Sequence, residues 1–274
     1  KLFVRFCEVL ALDWEEIAAG LKTDDSEPEP PELANNTNAL VQDIRKKVEA
    51  DIQTRCGTMR VLDMEQPIGI WDIYTSVNIL EKLSGNRRLG IDELLTGCDG
   101  AQFNRFMLGQ VHHERVPGLD AVERYDKLMI LGKPGAGKTT FMKRLATLCN
   151  RCKFQIERGP VFVTLKEFAE TAGQPGLQEY IAKQWRNCGV NETDAPDTVF
   201  EEGQALILLD GLDEVQETEH DRVLQEIKDF TGRFRGCQFV MTCRIAAREY
   251  VFQQFTEVEV ADFDDKQIAE FATN

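Results

Sequence analysis

Gly132-Lys133-Pro134-Gly135-Ala136-Gly137-Lys138-Thr139 is the stretch on which the fold turns. It matches G-x-x-x-x-G-K-[ST]. Its glycines let the backbone curl so that successive N–H groups point inward, toward phosphate oxygens. A helix starting at the end of such a loop adds its positive N-terminal end to the same spot. In that arrangement Lys138 reaches the β- and γ-phosphates, and the Thr139 hydroxyl is placed to ligate Mg²⁺. Short motifs recur by accident, so context decides. Here the short apolar run Lys127-Leu128-Met129-Ile130-Leu131 precedes the loop and an apolar-periodic segment, residues 140–150, follows it. Strand, loop, helix is the setting the motif requires.

Working outward, the alternation continues. Residues 160–165 read as a second strand, 205–210 as a third, 238–242 as a fourth and 255–260 as a fifth. Helical periodicity falls between them, over residues 177–185 and 221–234, and a further helix is expected over 264–272. Strands that are apolar throughout and separated by helices predict a parallel sheet covered on both faces.

Two of these strands end in chemistry. Ala205-Leu206-Ile207-Leu208-Leu209 runs into Asp210, 72 residues after Lys138. A carboxylate there is the expected Mg²⁺ partner beside Thr139. Gly211 follows without a side chain to block the metal or water, and Asp213 and Glu214 add two acids, one of which is placed to orient or activate an attacking water. The plainer alternative makes them an acidic loop capping the next helix. Val240-Met241-Thr242-Cys243 ends in Arg244, and ligands of parallel sheets sit at the carboxyl ends of the strands. Arg244 is therefore a candidate sensor of γ-phosphate charge, or else a surface salt bridge. No Asn/Thr-Lys-x-Asp guanine reader and no Leu-Ser-Gly-Gly-Gln-like signature follows the loop, which leaves adenine by elimination.

The N-terminal part carries less information. Residues 1–21 read as short helical pieces, and 22–39 as an acidic, proline-rich linker. Residues 40–56 show helical spacing through Leu40, Val41, Ile44, Val48 and Ile52. A strand is expected at 72–77, loop and short helix at 87–100, and another short helix at 102–106. The whole chain has 274 residues, with 47 acidic and 32 basic, for a net charge of −15. That balance argues against nucleic acid or an anionic membrane as a partner of the chain at large. No apolar run reaches membrane-spanning length and no signal-peptide pattern opens the chain. The chain begins at Lys1, so it is expected to be a piece of a longer protein. Eight scattered cysteines without such a signal read as reduced thiols of a cytoplasmic protein. Cys149-Asn150-Arg151-Cys152 lacks the second ligand pair of a zinc site, and reads as structural.

The stretches Leu131–Thr140 and Leu206–Glu214 together resemble the NACHT family of STAND ATPases. The second motif of that family is four apolar residues, Asp, a small residue, an apolar residue, then Asp-Glu. Gly211 fills the small position. Residues 160–165 and Met241-Thr242-Cys243-Arg244 resemble the second strand and the sensor-arginine strand, and 258–271 the end of the nucleotide domain. The resemblance covers residues 117–274. Residues 40–116 look like the preceding helical and linker segment of bacterial, especially cyanobacterial, members, and 1–21 like the last helices of a helix-turn-helix-like domain. It implies an α/β P-loop NTPase of the additional-strand, AAA-like class, with a parallel sheet flanked by helices and a small, mostly helical N-terminal segment. It also implies ATP/ADP and Mg²⁺ as ligands, the latter on Thr139 and Asp210. Residues 132–140, namely Gly132, Lys133, Pro134, Gly135, Ala136, Gly137, Lys138, Thr139 and Thr140, hold the nucleotide. Asp213, Glu214 and Arg244 are implied in slow hydrolysis. Family members are signalling switches. ADP holds a closed monomer, an unidentified trigger opens it, and ATP-bound protomers self-associate; bacterial members are linked to defence against phage. The winged-helix segment and sensor repeats of such proteins lie beyond Asn274. Two other functions share the same phosphate loop. An ATP-switched DNA-binding regulator rests on residues 1–21, where four acids outnumber Lys1 and Arg5. A small-molecule kinase needs a lid and an acceptor site.

Overall fold

The computed structural model describes residues 36–59, 68–69, 77–80, 115–245, 252, 254–262 and 267. Its elements in chain order are α1 (Asn36–Cys56), β1 (Thr58–Met59), β2 (Ile68–Gly69), β3 (Asn78–Leu80), β4 (Arg115–Pro117) and α2 (Gly118–Arg124). Then come β5 (Lys127–Gly132), α3 (Lys138–Asn150), β6 (Gly159–Thr164), α4 (Leu165–Ala169), α5 (Leu177–Asn187) and α6 (Ala195–Glu201). The series closes with β7 (Ala205–Asp210), a 3₁₀ turn at Leu212–Glu214, α7 (Glu217–Arg233), β8 (Gln238–Arg244) and β9 (Thr256–Val260).

Seven strands form one sheet in the order β4-β3-β9-β5-β8-β7-β6. The five from β9 to β6 are parallel, and β3 runs antiparallel to both its neighbours. The fold is thus α/β with a mostly parallel sheet, as expected. β8 sits between the strand before the phosphate loop and the strand ending in Asp210, which is the extra strand of the AAA-like class. Register sets the strand ends level. Gly132 lies opposite Arg244 and Thr164 opposite Asp210, while Leu209 opposite Met241 brings Asp210 beside Thr242.

Burial explains why these runs are strands. All six residues of β7 are buried, and five of six in β5 and in β6, as a sheet covered on both faces demands. α3 buries Phe141, Met142, Leu145, Ala146, Leu148 and Cys149, and α7 buries Val223, Leu224, Ile227 and Phe230. Phe200, Phe230, Phe234 and Phe239 stack edge-on or tilted with centroids 5.0–6.0 Å apart, locking α6 and α7 onto β8.

α1 lies along the edge strand β6. Val41, Ile44, Val48, Ile52 and Cys56 form its buried stripe, the face the spacing predicts. Arg45 donates from Nε to the Arg158 carbonyl at 3.1 Å, and Arg55 from Nη1 to that of Phe162 at 3.1 Å. The ten-residue step on the helix spans about 15 Å. The four-residue step along the chain into β6 spans about 13 Å, so the two guanidinium groups match the edge they cap.

Several boundaries differ from expectation. The linker expected over 22–39 is helical from Asn36, because the polar run there supplies the first turn of α1; residues 22–35 lie outside the described residues. The strand expected at 72–77 falls mostly outside them too, and the observed strand begins at Asn78. Three-residue strands such as β3 and β4 are too short to show a period, and both went unexpected. The helical pieces at 1–21, 87–100 and 102–106 also lie outside the described residues, as do all but Gln267 of the helix expected at 264–272. α7 starts four residues earlier than the apolar spacing shows, since its first turn is polar (Glu217 and Glu219). Among the described residues no helix is long and apolar enough to cross a membrane.

Candidate nucleotide-binding site

β5 ends at Gly132, and the chain turns through Lys133–Gly137 before α3 begins at Lys138. Gly135 and Gly137 both take positive φ, 77° and 82°, a region where a side chain is strained. Gly137 caps α3 with no side-chain hydrogen bond. The N–H groups of the first turn face the space ahead of the helix. That space is a cavity of 320 Å³ lined by Pro134–Thr140, Gly211, Asp213, Glu214, Thr242 and Arg244. A larger hollow of 470 Å³ lies among α5, α6 and α7, but no residue of the phosphate loop lines it.

Lys138 folds back over the loop, donating from Nζ to the carbonyls of Gly132 at 2.8 Å and Lys133 at 3.0 Å. Burial lowers its pKa from the ordinary lysine value. The Lys133 side chain points elsewhere, to an exposed ion pair with Asp262 at 3.1 Å, so only its backbone serves the loop.

Thr139 donates from Oγ1 to Asp210 Oδ1 at 3.3 Å. Asp210, 6% exposed, also accepts from Thr242 Oγ1 at 2.7 Å, and Thr242 Oγ1 in turn accepts the Gly211 N–H at 2.8 Å. Burial raises the Asp210 pKa, against the lowering effect of both threonine hydroxyls and of Lys143 and Lys138. A hard divalent cation takes oxygen donors. Thr139 and Asp210 supply a hydroxyl and a carboxylate side by side, and a buried carboxylate gains from a nearby cation. The donor set fits Mg²⁺.

Gly211 has φ 81°, and a Cβ there would lie 3.3 Å from the Glu214 carboxyl carbon. Open space for metal and water is thus only part of why glycine stands there; the backbone conformation also requires it. The Asp213 carboxylate does not cap α7. It is held by Arg244, through the backbone N–H at 2.8 Å and through Nε at 2.8 Å. Of the alternatives for Arg244 the structure shows the ion pair, and the partner is another residue lining the cavity. Glu214 is exposed; its N–H donates to the Gly211 carbonyl at 3.0 Å, and its carboxylate has no hydrogen bond or ion pair among the described residues.

The NACHT domain family matches residues 126–274, more than half of the chain. The chain belongs to the NACHT family. No curated protein compared with the chain matches it. Among solved structures it is similar to C. elegans PCH-2, at 18% identity over 54% of this chain and 41% of that one, with a TM-score of 0.34. It is similar also to AMPPCP-bound DnaA from Aquifex aeolicus, at 16% identity over 56% of this chain and 47% of that one, TM-score 0.35. The chain spans less than half the length of either.

Within this NACHT domain the structure brings Pro134–Thr140, Asp210, Asp213, Glu214 and Arg244 to one place. Thr242 belongs with them and was missed by sequence reasoning. Its signal was present: a hydroxyl inside the apolar run of β8, two residues before Arg244, has to find a partner once buried.

Proposed function

We propose that this chain is the nucleotide-binding core of an ATP-driven signalling switch that hydrolyses ATP slowly. The observation that carries the proposal is the meeting of Thr139 and Asp210 at 3.3 Å beside the phosphate loop. The two residues are 71 apart in sequence, and their contact puts a hydroxyl and a carboxylate together as a shared Mg²⁺ site would need.

In this proposal the N–H groups of Gly135, Gly137, Lys138 and Thr139, at the loop and the N-terminus of α3, receive phosphate oxygens. Lys138 exchanges the Gly132 and Lys133 carbonyls for the β- and γ-phosphates. Thr139 and Asp210 hold Mg²⁺, which when bound neutralises phosphate charge and orients the oxygens. Asp213 is occupied by Arg244, so Glu214, exposed and unpaired among the described residues, is the better placed acid to accept a proton from water. Arg244, held by the buried Asp213, senses the γ-phosphate. Hydrolysis is slow because the water-activating acid stands in solvent rather than in a closed site.

The wider role proposed follows from family membership: adenine as the base, ADP as the resting ligand, trigger-driven self-association, and an output in bacterial defence against phage. The first test identifies the nucleotide released on denaturing freshly purified protein, by ion-pair chromatography. Bound ADP supports a resting switch; bound guanine nucleotide overturns the choice of base. Two variants test the site. Lys138→Ala is expected to abolish nucleotide binding in calorimetry, and unchanged binding sinks the assignment. Glu214→Gln is expected to retain Mg-ATP binding while lowering turnover roughly 10²-fold or more; full turnover passes the role to another group.

A further inference from the structure

The Cys149–Cys152 pair reads as structural in the sequence, and the nucleotide site makes no use of it. The structure gives it a setting. Cys149 is the buried penultimate residue of α3, the helix that begins at the phosphate loop, and Cys152 follows it, exposed, with φ 55°. The Cys152 N–H donates to the Cys149 carbonyl at 3.1 Å. That closes a four-residue turn, which holds its end Cα atoms within about 7 Å. Disulfides span about 4.4–6.8 Å between Cα atoms, so the backbone admits a bond between the two.

Both sulfurs face one buried guanidinium. Arg45 of α1 is 2% exposed. Its Nη1 lies 2.9 Å from Cys152 Sγ and its Nη2 lies 3.9 Å from Cys149 Sγ. Nη2 also donates to the Gln155 carbonyl at 2.9 Å, and Cys149 Sγ donates to the Arg158 carbonyl at 3.1 Å. The dithiol is thus part of the anchor that fastens α1 to the turn after α3. Burial pushes the Cys149 thiol up to about 12, so it stays protonated while its exposed neighbour meets reagents first.

We propose that Cys149 and Cys152 are an oxidisable dithiol, a modification site that takes hydrogen peroxide as its two-electron oxidant and loosens α1 from the far end of the phosphate-loop helix. The sulfur of Cys152 attacks one peroxide oxygen, the O–O bond breaks, and the departing oxygen leaves as water with the Cys152 proton. Cys152 is then a sulfenic acid. The Cys149 sulfur displaces its hydroxyl, the Cys149 proton goes to that hydroxyl, and a second water leaves. Two thiols lose two hydrogens and two electrons, and the peroxide is reduced to water. The new bond removes the Cys149 S–H donor from the Arg158 carbonyl and draws the Cys152 sulfur away from Arg45.

The test needs no nucleotide. The whole chain is treated with hydrogen peroxide, its remaining thiols are blocked with N-ethylmaleimide, and it is digested with trypsin. Cleavage after Arg151 and Lys153 separates Leu145–Arg151 from Cys152–Lys153. The disulfide therefore appears as these two peptides joined, parted again by dithiothreitol. Amide exchange of α1 is expected to speed up roughly tenfold on oxidation, about the loss of one hydrogen bond to a charged group, and to recover on reduction. Cys152→Ser, at an exposed position, is expected to remove both responses. The proposal is overturned by Cys152 over-oxidised without linkage to Cys149, by joined peptides with α1 exchange unchanged, or by α1 loosening equally in Cys152→Ser.

Discussion

Asp210 holds its carboxyl where water scarcely reaches, and its pKa is raised for that reason. The consequence for stability has a definite sign. Between the ordinary value, 3.8, and the raised native one, the folded chain binds more proton than the unfolded chain. Stability therefore falls as pH rises through that window and stays lower above it. Above that window an ionised Asp210 is a cost to the empty protein, of the kind functional groups often carry. Asn keeps an oxygen to accept from Thr242 and Thr139 but carries no charge. Asp210→Asn is thus expected to raise the melting temperature without nucleotide, on the order of 2–4 °C, the span about 1 kcal/mol covers in a domain of this size. The same variant is expected to lose the further rise that Mg-ATP gives the parent. A lower melting temperature without nucleotide would show that Asp210 is a structural acceptor first. The residue was legible in sequence because a carboxylate ending an apolar strand is rare without a use. Thr242 was less legible, because its hydroxyl became informative only once the register placed it beside Asp210.

α1 and β6 show what elements add. The apolar stripe of α1 was readable at its 3.6-residue period, and so were the apolar runs of β5 and β7. What the stripe packs against was not readable, because Arg45 and Arg55 look like ordinary solvent-facing residues until the carbonyls of Arg158 and Phe162 are opposite them. Strand order was equally silent. Nothing in the residues of β8 says that it lies between β5 and β7; family resemblance implied it, and backbone pairing shows it. The clamp makes a measurable claim at this scale. Removing the Arg45 guanidinium leaves the Gln155 carbonyl to the Arg158 N–H and the Arg158 carbonyl to the Cys149 S–H, and a hydrogen bond to a charged group is worth about 1.5–3 kcal/mol. Arg45→Met, which keeps much of the side-chain volume, is expected to destabilise the chain by about 2–4 kcal/mol in urea unfolding. A loss below about 0.5 kcal/mol, the size of an ordinary surface substitution, would mean that α1 is held by its apolar stripe alone.

For the molecule as a whole, the net charge of −15 sets what an incoming nucleotide meets before contact. The cations near the cavity are largely spoken for: Lys133 pairs with Asp262 and Arg244 with Asp213, while Lys138 is turned toward carbonyls. Little positive field is left to project outward, so the long-range potential is that of an acidic protein, and Mg-ATP is itself an anion. Nucleic-acid sites behave oppositely, with attraction that fades as salt rises. Screening reaches about 30 Å at 0.01 M salt and about 8 Å at 0.15 M; in the first case the whole chain repels the ligand, and in the second only the residues at the cavity count. The association rate of Mg-ATP is therefore expected to rise, roughly twofold, as sodium chloride goes from about 20 to 150 mM. Stopped-flow with a fluorescent ATP analogue reads this directly. A rate that instead falls with salt would mean that the ion pairs at Lys133 and Arg244 open before the nucleotide arrives, and that the site recruits its ligand with cations the resting protein keeps paired.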